Sequence, residues 1–178
     1  MNQSNYIIKR SIGYSAQIGN FVSLFKASKS EILKSISSLS IEQLDFFASK
    51  KSNSIGTLLK HMIALEHYCQ IKTFYKREFT KDEEDYWHGA LPGELILRKI
   101  KGNPIEYYIH LWDNIRKKTY EGFKMYQDNW FYEHLDSNFP ENGNNLWLWF
   151  HVMEDQICHH GQIKLILNEL KRLNIYLL

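Results

Sequence analysis

Apolar residues recur at three- and four-residue steps along most of this chain, the spacing of amphipathic helices. Phe21, Leu24, Phe25, Ile32, Leu33, Ile36 and Leu39 predict a first helix beginning within residues 13–20 and ending near 39. Ser40 reads as the cap of a short turn, Ile41-Glu42-Gln43-Leu44, and residues 46–53 as a loop. A second helix starts after Asn53 or Ser54, both good N-caps, and runs to about Arg77. Its core candidates are Ile55, Leu58, Leu59, Met62, Leu65, Tyr68, Cys69 and Phe74. The acidic run Asp82-Glu83-Glu84-Asp85 breaks the pattern. From there to Gly102 the chain reads as a long connection punctuated by Gly89, Pro92 and Gly93, with a short helical turn at 94–101. Asn103 then reads as a cap, Pro104 as the first helical residue and Glu106 as the capping-box carboxylate. That third helix carries Tyr107, Tyr108, Leu111, Trp112, Ile115, Tyr120 and Phe123 to about Gln127. Residues 130–139 are less periodic, and Pro140-Glu141-Asn142-Gly143 is a turn. The last helix begins near Asn144 or Asn145 and continues to about Leu173.

Four long helices, few strand signals and a long connection between helices two and three predict an all-α four-helix bundle. At 178 residues the chain fits a single domain, 1–178. Aromatic residues make up 15% of it, which excludes a mostly disordered chain. A net charge of +2 with scattered cations argues against a nucleic-acid binder. The one basic cluster, Arg116-Lys117-Lys118, reads as a solvated helix face. Cys69 and Cys158 sit within helical patterns and read as small buried side chains, since two thiols make no disulfide framework. No stretch reaches the roughly 20 apolar residues a membrane helix needs. With no secretory segment either, a cytoplasmic location is expected.

The chemistry concentrates in one helix. His151, Asp155 and His159 follow one another at four-residue steps, so all three share a face. His61 lies on the second helix, and a neighbouring helix is what such a face needs to complete a metal site. Imidazole and carboxylate together suit Zn²⁺, Ni²⁺, Mn²⁺ or Fe²⁺. Spacing alone leaves two readings open, a metal site and a hydrogen-bonded polar seam, and Glu154 competes with Asp155 as the carboxylate. His88, His110 and His134 read as surface residues. His67, six residues after His61, faces elsewhere, and only one of His159 and His160 can face the core.

Two segments resemble the DinB/YfiT-like superfamily of bacterial helical-bundle proteins. The first is Ser54-Ile55-Gly56-Thr57-Leu58-Leu59-Lys60-His61, followed by Glu66. The second runs from His151-Val152-Met153-Glu154-Asp155 to His159-His160-Gly161-Gln162-Ile163. The turn at Leu39-Ser40-Ile41-Glu42-Gln43-Leu44-Asp45 is similar too. By this resemblance the metal ligands are His61, Asp155 and His159. Asp155 stands where the family more often has His, His160 where it commonly has Arg, and Cys158 where it often has His. The carboxylate lowers the charge of the centre and favours harder ions such as Mn²⁺ or Fe²⁺.

The resemblance implies a metal-dependent enzyme acting on a small molecule, with thiol-dependent S-transferase or hydrolase-like chemistry and a low-molecular-weight thiol as co-substrate. Glu154 or His151 would be the proton acceptor beside the ion. Trp147, Trp149, Tyr108 and Trp112 are candidates for an apolar pocket near it. A homodimer is also implied. The alternative is a non-catalytic, stress-related metal-binding or interaction module.

Overall fold

The computed structural model describes residues 7–49, 52–90, 100–135 and 143–174. The turn expected at Pro140, Glu141 and Asn142 and most of that expected at 94–101 lie outside them. The described residues are helical: α1 (Ala16–Ile36), α2 (Ile41–Leu44), α3 (Ile55–Thr73), α4 (Lys81–Trp87), α5 (Ile105–Lys124) and α6 (Asn145–Arg172), with a 3-10 turn over Asp128–Tyr132. The four long helices are those expected, and together they form a helical bundle.

Several starts follow their caps. The Ser40 hydroxyl accepts from the Gln43 amide while the Gln43 side chain accepts from the Ser40 amide, a reciprocal box that fixes α2. The Ser54 hydroxyl accepts from the Thr57 amide, and the Asn144 side chain from the Trp147 amide. Helix α1 is capped from far away. The Asp128 carboxylate accepts from the amides of Gln17 and Ile18 at 2.9 and 3.1 Å. At the other end of α3, Lys76 adopts a left-handed φ of 48°, which stops the helix short of Arg77.

Two expected features are corrected. The acidic run does not break a helix; it begins one. Thr80 and Glu83 form a capping box, and Asp82, Glu83 and Glu84 fill the first turn of α4, where the helix dipole favours negative charge. On α5 it is Pro104 that occupies the N-cap, one place later than expected. Asn103 does not cap; its side-chain Nδ2 donates to the Lys101 carbonyl.

Contacts fix the directions. Gly56 meets Tyr108 and Gln70 meets Thr119, so α3 and α5 run parallel. His61 meets Asp155 and Thr73 meets Trp149, so α3 and α6 run antiparallel. A parallel α3–α5 pair obliges the chain to travel back along the bundle between them, which is why the long connection exists.

The core has two apolar parts. One gathers Ile32 and Ile36 of α1, Leu58 and Met62 of α3, Trp112 of α5 and Ile163 of α6. The other gathers Phe21 and Phe25, Leu65 and Cys69, Phe123, Trp149 and Val152. On every long helix the changeover falls mid-length, and there the interior turns polar. Arg116 Nε donates to Glu66 Oε1 at 2.7 Å and Nη2 to Glu66 Oε2 at 2.9 Å. Trp112 Nε1 and Thr119 Oγ1 also donate to Glu66, at 3.1 and 2.6 Å. Arg116 Nη1 reaches the Phe25 carbonyl and Nη2 the Gln156 side chain. Arg116 is only 3% exposed, which overturns its reading as part of a solvated face. Burial disfavours its charge, but Glu66 outweighs that and holds its pKa above the ordinary value. Cys69 is buried as expected, whereas Cys158 is exposed.

Candidate metal centre

His61 sits in the second turn of α3, and Asp155 and His159 sit one turn apart on α6. Antiparallel packing of these helices brings the three together at mid-bundle. His159 Nε2 lies 3.1 Å from Asp155 Oδ1, and His61 Nε2 lies 3.5 Å from the same oxygen. The two imidazoles meet edge to face, centroids 5.1 Å apart. One potential ligand atom from each residue falls within 4.8 Å of the others. Bonds of about 2.0–2.2 Å to an ion set opposite ligands at most roughly 4.4 Å apart, so only a small contraction closes the set.

The second nitrogen of His61 is spoken for. Nδ1 lies 2.7 Å from the Ala90 carbonyl, and a carbonyl only accepts, so Nδ1 carries the proton. In the neutral ring Nε2 then holds the free lone pair, turned toward Asp155. A ligand imidazole needs this arrangement. Asp155 Oδ2 and His159 Nδ1 are buried without a hydrogen-bond partner among the described residues. A buried polar atom left unpaired costs about 1–3 kcal/mol, and Asp155 and His159 each carry one, so both side chains are suited to a further binding partner. The donor set of imidazole, imidazole and carboxylate fits a borderline divalent ion.

Electrostatics agree with the geometry. Burial pushes the Asp155 carboxyl upward, but the His159 and His61 imidazoles beside it outweigh that and hold the group well below the usual carboxylate range. Burial likewise disfavours charge on His61, and Asp155 outweighs it, raising the pKa above the ordinary 6.5. The side chains of His61, Asp155 and His159 remain 16, 14 and 15% exposed, so the trio is within reach of solvent.

His151, one turn before Asp155, pairs through Nδ1 with Glu154 Oε2 at 3.3 Å and stacks on Trp147. Glu154 is about half exposed, its side chain at 52%. Tyr108, Trp112 and Trp149 are core residues, whereas Trp147 is exposed. His67 is half-buried and accepts from Trp87 Nε1 at 2.8 Å. His88, His110 and His134 are exposed, as expected. His160 turns away from the trio, with Nε2 3.3 Å from Ser35 Oγ. Ala90 was not foreseen, because a main-chain carbonyl has no signature in residue type. Arg116 had one: Trp112, Arg116, Thr119 and Phe123 share the inward spacing of α5.

No curated protein matches the chain. A family model described as mycothiol-S-transferase matches residues 20–170, a span that takes in all three residues of the trio. The chain therefore belongs to the mycothiol-S-transferase family, within the DinB/YfiT-like superfamily.

Proposed function

We propose that this protein is a divalent-metal-dependent transferase that joins the sulfur of a low-molecular-weight thiol to an electrophilic small molecule. The observation that carries the reading is the state of the trio. One imidazole has its tautomer set by Ala90, and one buried polar atom on each of Asp155 and His159 lacks a partner among the described residues. His61, Asp155 and His159 would hold the ion. When bound, the ion would lower the pKa of a thiol against it and so supply a nucleophile at neutral pH.

The chain's own groups would do the rest. Asp155, already ionised, offsets part of the ion's charge and favours harder ions such as Mn²⁺ or Fe²⁺ over what three imidazoles would select. His151, paired with Glu154 one turn away, would accept the thiol's proton. Partial exposure of the trio favours a catalytic centre over a sealed structural one. Family membership supports the thiol, and its identity is part of the proposal.

A homodimer and a cytoplasmic location belong to the same reading. The exposed α6 residues Trp147, Phe150, Ile157 and Leu165 support the first. For the second, no helix among the described residues is long and apolar enough to cross a membrane.

Metal analysis of the purified protein beside His61→Ala and Asp155→Ala tests the centre. Stoichiometric metal in the parent and a loss in both variants is the expected result. Undiminished metal in both would sink the assignment. A screen of mycothiol, bacillithiol, glutathione and cysteine against electrophilic acceptors tests the chemistry, with absence of turnover for every thiol counting against a transferase.

A further inference from the structure

A ligand imidazole must present one nitrogen in a fixed direction, and the hydrogen bond on its other nitrogen does the fixing. For His61 that bond goes to the carbonyl of Ala90, three residues beyond α4. Ala90's methyl group offers no hydrogen bond to hold it there. Its main chain is held through Trp87. The Ala90 amide donates to the Trp87 carbonyl at 2.8 Å, closing a tight turn.

The Trp87 indole is itself buried against α3 and gripped at two points. Its Nε1 donates to His67 Nδ1 at 2.8 Å. The Lys60 ammonium lies 4.6 Å from its ring centroid, within cation–π range. Lys60 also sits over the Tyr86 ring at 4.0 Å and donates to Tyr107 at 2.8 Å. Lys60 and His67 are seven residues apart, two turns along one face of α3. His61 follows Lys60 directly and so projects about 100° around the helix from that face.

We infer that Trp87 is a positioning residue for His61. The hold of Lys60 and His67 on its indole seats the Ala90 carbonyl against Nδ1, which leaves Nε2 directed at Asp155. Helix α3 thus supplies the ligand and also the two side chains that anchor the turn controlling it. The inference extends the metal-centre reading.

Trp87→Phe keeps an aromatic ring and removes the indole N–H. Trp149→Phe is the matched control: it removes a buried indole whose Nε1 donates to Thr73 at 3.1 Å, away from the Ala90 turn. Two measurements are made on the full chain. One is affinity for zinc alone, by competition with a chromophoric chelator. The other is the His61 tautomer in metal-free protein at pH 8, by long-range nitrogen–proton NMR of the imidazoles. Trp87→Phe is expected to bind zinc roughly tenfold more weakly, the scale of losses at groups supporting a ligand, and to lose the single Nδ1–H tautomer. Trp149→Phe is expected to change neither. An unchanged His61 tautomer in Trp87→Phe, or an equal loss in Trp149→Phe, overturns the proposal. If the unsubstituted protein takes up no zinc, the metal-centre reading fails separately, and the tautomer comparison alone decides the role of Trp87.

Discussion

Glu66 and Arg116 form an ion pair in the interior of the bundle, on two parallel helices, with Nε 2.7 Å from Oε1. Every nitrogen of the guanidinium has an acceptor, and each carboxylate oxygen receives at least two donors. Removing one partner strands the other's charge. Arg116→Met is expected to cost about 3–5 kcal/mol of stability, as breaking a buried pair does. Glu66→Leu together with Arg116→Met is expected to recover much of that loss. Urea unfolding of the two single variants and the double variant measures the difference.

In the proposed centre Asp155 would offset part of the ion's charge. Asp155→His is expected to retain metal and shift its preference from Mn²⁺ toward Zn²⁺. Competition between the two ions, followed by metal analysis, reads the ratio directly. An unaltered ratio would mean that residue 155 does not touch the ion.

His67 gives the fold a dependence on pH. Burial, the largest influence, pushes its pKa from the ordinary 6.5 down to about 4. Between those values the unfolded chain binds more protons than the folded one, so stability rises with pH across that window. The contribution of His67 is therefore complete above 6.5 and is lost as pH falls toward about 4. His67→Asn keeps an acceptor for Trp87 and removes the titration. Its melting temperature is expected to fall less steeply than the parent's from pH 6.5 to 4. Identical slopes would exclude His67 as the cause.

Two glycines are expected to respond in opposite directions. A Cβ on Gly161, midway along α6, meets nothing within 4 Å. Gly161→Ala is expected to stabilise by about 0.5–1 kcal/mol, the ordinary helix penalty of glycine. A Cβ on Gly56 would lie 2.6 Å from Tyr108 Oη and 3.4 Å from the Leu44 carbonyl. Gly56→Ala is expected to cost about 1–3 kcal/mol, as overpacking does. Thermal melts of both variants in dilute metal-free protein check the signs.

Much of this architecture is legible in residue order. Ser40, Ser54 and Asn144 announce their helices because a cap is a local interaction between neighbours. His61, Asp155 and His159 stand out because a four-residue step and a familiar motif coincide. What escapes has physical reasons. Helix α6 is apolar on its outer side too, at Phe150, Ile157 and Leu165, so Cys158 looks as if it belonged to the core. Arg116 looks solvated because charge alone does not reveal that Glu66 waits on another helix. The acidic run at 82–85 looks like a break until Thr80 and Glu83 are seen to form a box. The contact between Ala90 and His61 depends on where the chain returns in space.

That last contact has a consequence for how the centre can vary among related chains. The acceptor for His61 belongs to the backbone, so replacing the side chain at position 90 leaves the acceptor's chemistry as it was. Changing the number of residues does not. One residue gained or lost between Trp87 and Ala90 shifts the carbonyl by about 3.8 Å, one Cα step, which exceeds the whole 2.7 Å hydrogen bond. Divergence in this turn is thus tolerable as substitution and disruptive as insertion or deletion: the orientation of the His61 imidazole is inherited as a length.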